Sequence, residues 1–180
     1  SGCATSNFST ESGKAPRIAV AYNFVPEEAT PKTLYGGNNT LEVFVDPQAA
    51  SSIRSDFFDQ AAKGKNFQFI LSEFPSTTGD SVCPSGSQLA PHAKASGADL
   101  LLCVDRPFYY NDVTGAAMAT TRVGVFSVDG KVVWRGNSTS GVGYRSLKST
   151  KDIFSQTRKA ALRSNKEVAR DLKRALARLN

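Results

Sequence analysis

The chain has 180 residues, of which 40% are hydrophobic and 21% are charged, as is usual for one globular domain with a single core. It has no run of about 18 apolar residues, so no helix is predicted to cross a membrane. The net charge of +6 resides in residues 151–180, which hold nine Lys or Arg and three Asp or Glu, whereas the remaining residues hold 13 of each sign. A basic segment confined to one end predicts a helix with a solvated charged face and argues against a nucleic-acid-binding protein.

Residues 1–16 are small, polar and without periodicity, which predicts a flexible tether ahead of a domain at residues 17–180. Ser1, Gly2 and Cys3 resemble the last three positions of the processing site of bacterial lipoproteins. This resemblance implies that Cys3 carries the lipid, and the residue after it, which is not Asp, implies sorting to the outer membrane. The alternative is an ordinary cysteine that carries no lipid.

The sequence of the first half of the domain predicts short strands and helices in alternation. Apolar patterns predict strands at residues 17–24, 41–45 and 66–71. Asp46 as N-cap and Pro47 at the first helical position predict a helix after the second strand. Its apolar stripe consists of Ile53, Phe57, Ala61 and Phe58. A second helix, at residues 88–96, is predicted to end at Gly97.

The central segment carries the strongest pattern in the chain. Residues 98–105 form a nearly continuous apolar run, which is typical of a strand covered on both faces. Further on, Asp129-Gly130 separates residues 117–128 from residues 131–135, two runs rich in β-branched side chains. Asp-Gly in this setting predicts a hairpin with a type I′ turn, because that turn needs positive φ at both central residues.

This turn type also predicts the register of the hairpin. It places Val125 opposite Trp134 and Phe126 opposite Val133. Because the side chains of a strand alternate between its two faces, one face is predicted to hold Val123, Val125, Val132 and Trp134. We expect this face to form the core.

Residues 151–179 predict a long C-terminal helix, since apolar residues recur there at spacings of three and four. The opposite side of this helix is basic, with Arg163 expected to pair with Glu167 and Asp171 with Arg174. The order of strands and helices predicts a single α/β (α+β) domain. In this fold, a mixed β-sheet contains a central antiparallel hairpin, and helices pack on the sheet.

The chain has three cysteines. Cys83 lies in a long loop, residues 72–87, that is rich in Ser, Thr, Gly and Pro, and Cys103 lies in the apolar central strand. A disulfide between Cys83 and Cys103 would staple this loop to the sheet. The alternative is a free, buried Cys103 that behaves as a small hydrophobic residue.

No stretch of the sequence predicts a reaction. His92 is the only histidine and has no ligands at metal-site spacing, so neither a metal nor another cofactor is expected. A hydrolase would have to combine His92 with Cys83 or Ser138, and Ser138 lacks the glycine two residues later that a nucleophile elbow requires. We therefore expect a protein that is not an enzyme.

Phe108, Tyr109 and Tyr110 lie within residues 107–112, which are predicted as a break between strands. Three consecutive aromatic residues cannot all face one core, so at least one is expected to be exposed. These residues are candidates for a contact with a partner or with a membrane. Arg170 and Arg174 on the basic side of the last helix are candidates for the same role.

Two stretches carry a resemblance to a known group: Gly97-Ala98-Asp99, which leads into the central strand, and Asp129-Gly130-Lys131-Val132-Val133-Trp134 at the hairpin. They resemble bacterial envelope lipoproteins with a fold similar to the amino-terminal domain of TolB. This group includes the curli secretion lipoprotein, the activator lipoprotein of penicillin-binding proteins and the Pel exopolysaccharide export lipoprotein.

The resemblance implies an outer-membrane lipoprotein on the periplasmic face that acts without catalysis. Its role would be that of a scaffold or accessory subunit in the export of polysaccharide or protein. A homo-oligomer is expected, with other envelope export or assembly proteins as partners. The alternative within the group is a monomeric activator of an envelope enzyme such as a peptidoglycan synthase.

Overall fold

The computed structural model describes residues 16–23, 40–41, 47–63, 67–71, 86–105, 108–111, 116–143 and 150–178. The strands are β1 (Arg17–Asn23), β2 (Thr40–Leu41), β3 (Gln68–Leu71), β4 (Leu100–Asp105), β5 (Phe108–Asn111), β6 (Ala116–Ser127) and β7 (Val132–Gly143). The helices are α1 (Pro47–Ala62), α2 (Gly86–Ser96) and α3 (Thr150–Leu176). Within these ranges, the predicted bounds of β1, α1 and α3 are confirmed to within a few residues.

The strands form one mixed seven-stranded sheet with the order β2-β5-β6-β4-β1-β3, and β7 pairs with β6. The pairs β1–β3 and β1–β4 are parallel, whereas β4–β6, β5–β6 and β6–β7 are antiparallel. Parallel strands are usually covered on both faces, which agrees with the apolar runs of β1 and β4. The predicted α+β fold with a central hairpin is confirmed.

The break predicted after β4 is wrong for residues 108–111, which form β5. Asp105 pairs with Arg122 of β6, and Phe108 pairs with Ala119, three residues back along the same strand. The register of β4 therefore continues into β5. Pro107, which lies outside the described residues, has no N–H to donate, and this explains why the sequence predicts a break here.

The hairpin turn differs from the prediction. The Gly130 N–H donates to the Ser127 carbonyl at 2.8 Å, and the Ser127 N–H donates to the Lys131 carbonyl at 2.9 Å. The loop therefore has three residues, and the last of them, Gly130, has positive φ, at 82°. Such loops join a type I turn to a glycine in the left-handed region, so the predicted type I′ turn is wrong.

A β-bulge one residue pair further from the turn shifts the pairing of the two strands back to the predicted register. Val125 pairs with Trp134 as predicted, but Phe126 pairs with Val132, so Val133 is the extra residue. Val133 consequently packs in the main core cluster, while Val132 packs against the cluster on the other face of the sheet. The prediction that Val132 shares the Trp134 face is therefore wrong.

The sheet separates two helical layers. On one face α1 and α3 cover the main cluster, which includes Ile18, Phe57, Leu102 and Leu172. On the other face α2 covers a smaller cluster of Ala19, Ala93, Ala98, Leu101, Cys103 and Phe126. Helix α2 ends at Ser96, immediately before Gly97 as predicted, and Gly97 has positive φ.

Candidate functional site

Helix α3 is locked against the sheet by both apolar and polar contacts. Val168, Leu172 and Leu176 are buried in the main cluster. Ser164 is fully buried, and its hydroxyl lies 2.6 Å from Thr121 Oγ1 and 2.8 Å from the Ser138 carbonyl. Because these hydrogen bonds are directional, they fix the rotation of the helix about its own axis.

A second polar contact joins α3 to α1. The amide nitrogen of Asn165 donates to the Ile53 carbonyl at 3.0 Å and to Asp56 Oδ2 at 2.8 Å, and Asn165 is fully buried. Sequence reasoning missed both Ser164 and Asn165. The available signal was that these small polar residues fall on the apolar side of the helix, between Ala161 and Val168.

The outward side of α3 is basic along most of its length. Its exposed cations recur at spacings of three or four residues and form what we call the basic stripe: Lys159, Arg163, Lys166, Arg170 and Arg174. With a rise of 1.5 Å per residue, the stripe is about 22 Å long. The candidate residues Arg170 and Arg174 thus belong to one linear array of charge.

Among the described side chains of α3, Asp171 pairs with cations at one end of this stripe. Asp171 Oδ1 lies 3.2 Å from Arg170 Nε and 3.6 Å from Arg174 Nη1, which confirms the predicted pair with Arg174. Glu167 instead accepts a hydrogen bond from the Ser138 hydroxyl on β7. The predicted pair of Arg163 with Glu167 is wrong for this reason.

Neither Arg163 nor its neighbour Lys166 has an ion pair within the part of the chain that the structure describes. Both side chains are exposed and belong to the same face of the helix. The middle of the basic stripe therefore presents uncompensated positive charge to solvent.

The aromatic residues of β5 have a defined register against β6. Phe108 and Tyr110 pair with Ala119 and Ala117, two buried alanines, whereas Tyr109 pairs with the half-buried Met118. The side chains of these aromatic residues lie outside the described part of the structure, so their role in a contact stays a prediction.

Cys103 is fully buried and forms a disulfide. The alternative of a free Cys103 is therefore wrong. The other two cysteines, Cys3 and Cys83, lie outside the described residues, so both the pairing with Cys83 and the lipid on Cys3 remain predictions.

The sheet keeps the predicted hydrolase residues apart. Ser138 contacts Glu167 and Ser164 of α3 on one face of the sheet, whereas His92 belongs to α2, which packs on the other face. Cys83, the other candidate nucleophile, is outside the described ranges. Among the residues with described positions, no group of three or more His, Cys, Asp or Glu could hold a metal ion.

Among the described segments, none of the helices has the length and apolar character that crossing a membrane requires.

No protein-family model and no curated protein matches the chain. Several solved structures match the chain, including the following two. One is a PelC dodecamer from Paraburkholderia phytofirmans, with 16% identity, a TM-score of 0.52 and coverage of 88% of each chain. The other is a protein of the DUF330 family from Xanthomonas campestris, with 13% identity, a TM-score of 0.53 and coverage of 92% of this chain and 87% of that one. At these identities, the comparison establishes a fold shared with PelC and with a DUF330 protein.

Proposed function

We propose that the chain is a bacterial envelope lipoprotein that acts, without catalysis, as a periplasmic scaffold or accessory subunit in the export of polysaccharide or protein. Cys3 would carry the lipid and hold the domain on the periplasmic face of the outer membrane. Several copies would assemble into a homo-oligomer that works with other envelope export or assembly proteins.

The observation that carries this proposal is the shared fold with PelC, which extends over 88% of both chains. The PelC structure is a dodecamer, which supports a homo-oligomer here. The Ser1-Gly2-Cys3 sequence supports the lipid anchor. The separation of Ser138 from α2 by the sheet argues against a hydrolase that uses Ser138 with His92.

Fractionation of cells tests the anchor. The protein is expressed with a bacterial lipoprotein signal peptide, beside a Cys3→Ser variant, and the membranes are separated on a density gradient. We expect the wild-type chain in the outer membrane and the variant in the soluble periplasm, because the acyl chains provide the attachment. A wild-type chain that is soluble and has an unmodified N-terminal mass would contradict the anchor.

Oligomeric mass in solution tests the scaffold. Light scattering of the purified Cys3→Ser chain, at several concentrations, is expected to give a closed oligomer of defined mass. A monomer at all concentrations would instead favour the activator of an envelope enzyme, such as a peptidoglycan synthase.

A further inference from the structure

Repulsion between the like charges of the basic stripe destabilises α3. Lys159 and Arg163 are four residues apart, Arg163 and Lys166 three, and Lys166 and Arg170 four, so neighbouring cations face each other along the helix. Like charges at these spacings each destabilise a helix by about 0.2 to 0.5 kcal/mol. Glutamates at alternate positions of the stripe would replace this repulsion with attraction, so the stripe is not explained by a contribution to stability.

The second observation is where the nearest carboxylate points. Glu167 lies next to the stripe. Its carboxylate accepts a hydrogen bond from the Ser138 hydroxyl, so the side chain turns toward β7. Arg163 and Lys166 are left without a carboxylate partner among the residues that the structure describes. Cations without a carboxylate partner attract anions most strongly where they lie closer together than the Debye length, about 8 Å at physiological salt.

The shape of the array selects the kind of anion. Five cations in a line of about 22 Å match an extended polymer better than a single small ion. The exposed residues of α3 from Ser155 onward include no aromatic side chain, so the stripe lacks the stacking platform of a single-stranded nucleic-acid site. It also lacks the apolar centre that a folded protein partner would require.

A membrane surface is also a poor match for the stripe. Helices that lie in a bilayer interface insert their apolar side among the lipids. The apolar side of α3, with Val168, Leu172 and Leu176, is already buried in the core of the domain. The stripe can therefore interact with a membrane only through its positive charge.

We propose that the basic stripe binds a linear anionic polysaccharide whose carboxylate groups pair with the arginines and lysines of α3. Clusters of Lys and Arg bind acidic glycans through the same electrostatic attraction. Guanidinium groups suit carboxylates because they can form two parallel hydrogen bonds. This inference rests on the proposed export function and specifies the chemical class of the exported polymer or of the envelope polymer that the scaffold contacts.

The test compares two double variants of the full chain that change the net charge equally. Arg163→Gln/Lys166→Gln neutralises the middle of the stripe, whereas the control Lys63→Gln/Lys131→Gln neutralises two exposed lysines elsewhere. Glutamine suits a helix nearly as well as Lys or Arg. Circular dichroism and the thermal midpoint check that all three proteins are folded.

Binding to polyguluronate, a polymer of uronic acid, is measured by titration at several salt concentrations, with dextran as the neutral polymer. The wild-type chain should bind polyguluronate but not dextran, with an affinity that falls as salt rises. The stripe variant should bind about tenfold more weakly, and its dependence of log K on log salt should be less steep by about one unit per lost contact. The control variant should bind within about twofold of the wild type.

Equal losses in the two variants, or no binding of polyguluronate by the wild type, would overturn the inference. Tighter binding of wild-type protein to phosphatidylglycerol vesicles, polyglutamate or single-stranded DNA would also overturn it. These results are separable from the proposed function, which depends on fractionation and oligomeric mass. Selective loss in the stripe variant supports the glycan site even if the chain proves to be a monomer.

Discussion

The indole ring of Trp134 lies over Gly136, two residues further along β7. A Cβ atom at position 136 would stand 2.4 Å from both Cζ2 and Cη2 of the ring, far closer than real atoms approach. Trp134 is half-buried and packs against the main core cluster, on the face that the sequence predicts as the core. The absent side chain at Gly136 provides the space that the ring occupies.

Gly136→Ala should therefore displace the ring of Trp134 and weaken its packing. We expect a loss of about 1 to 3 kcal/mol in the free energy of unfolding, as is usual when atoms are forced into occupied space. Because Trp134 is the only tryptophan in the chain, its fluorescence reports the displacement directly, and the emission should shift to longer wavelength. Denaturant unfolding measures the stability.

The control for this prediction is Gly141→Ala on the same strand. A Cβ at Gly141 would lie 3.7 Å from Met118 Cγ, an ordinary contact, so its stability and fluorescence should stay close to those of the wild type. Equal stability losses in the two variants would mean that the contact with Trp134 is not the cause.

Ser164→Ala should destabilise the junction between α3 and the hairpin. The substitution removes the partner of Thr121 Oγ1 and of the Ser138 carbonyl at a fully buried position. Buried polar groups without partners typically cost about 1 to 3 kcal/mol. Denaturant unfolding measures the loss, with Ser155→Ala on the exposed side of the same helix as the control. A Ser164→Ala protein as stable as this control would contradict the role assigned to Ser164.

The disulfide of Cys103 is predicted to join it to Cys83. Cys83→Ser should then expose a second reactive thiol in denaturant without reductant, whereas Cys3→Ser should leave none. Opening a loop of about 20 residues should lower the free energy of unfolding by about 3 kcal/mol. Thiol alkylation followed by mass spectrometry identifies the partner. An intact bridge in the Cys83→Ser chain would assign it to Cys3 instead.

Tyr109 and Tyr110 should respond differently to truncation. Tyr110 pairs with the buried Ala117, whereas Tyr109 pairs with the half-buried Met118. Because side chains alternate between the faces of a strand, we predict that Tyr110 is packed and Tyr109 is exposed. Tyr110→Ala is then expected to cost about 3 to 5 kcal/mol, and Tyr109→Ala less than about 1 kcal/mol. Thermal unfolding compares the two variants. A larger loss of stability in Tyr109→Ala than in Tyr110→Ala would mean that Tyr109 is the packed residue.

The local elements of this protein follow from its sequence. The apolar runs of β1 and β4 and the start of α1 at Pro47 are properties of neighbouring residues, so local sequence patterns predict them. The same holds for the spacing of Val168, Leu172 and Leu176, which predicts the buried side of α3 and, with it, the outward position of the basic stripe.

Only the tertiary structure decides which distant groups meet. Ser164 reaches Thr121 across 43 positions of the chain, and Asn165 reaches Ile53 across 112. Glu167 likewise prefers Ser138 of β7 to the local cation Arg163. A side chain's spacing predicts its face of the helix, but its partner depends on how the helix rests on the sheet. That position is set by packing over the whole domain, and it leaves Arg163 and Lys166 without a carboxylate partner in the described part of the chain.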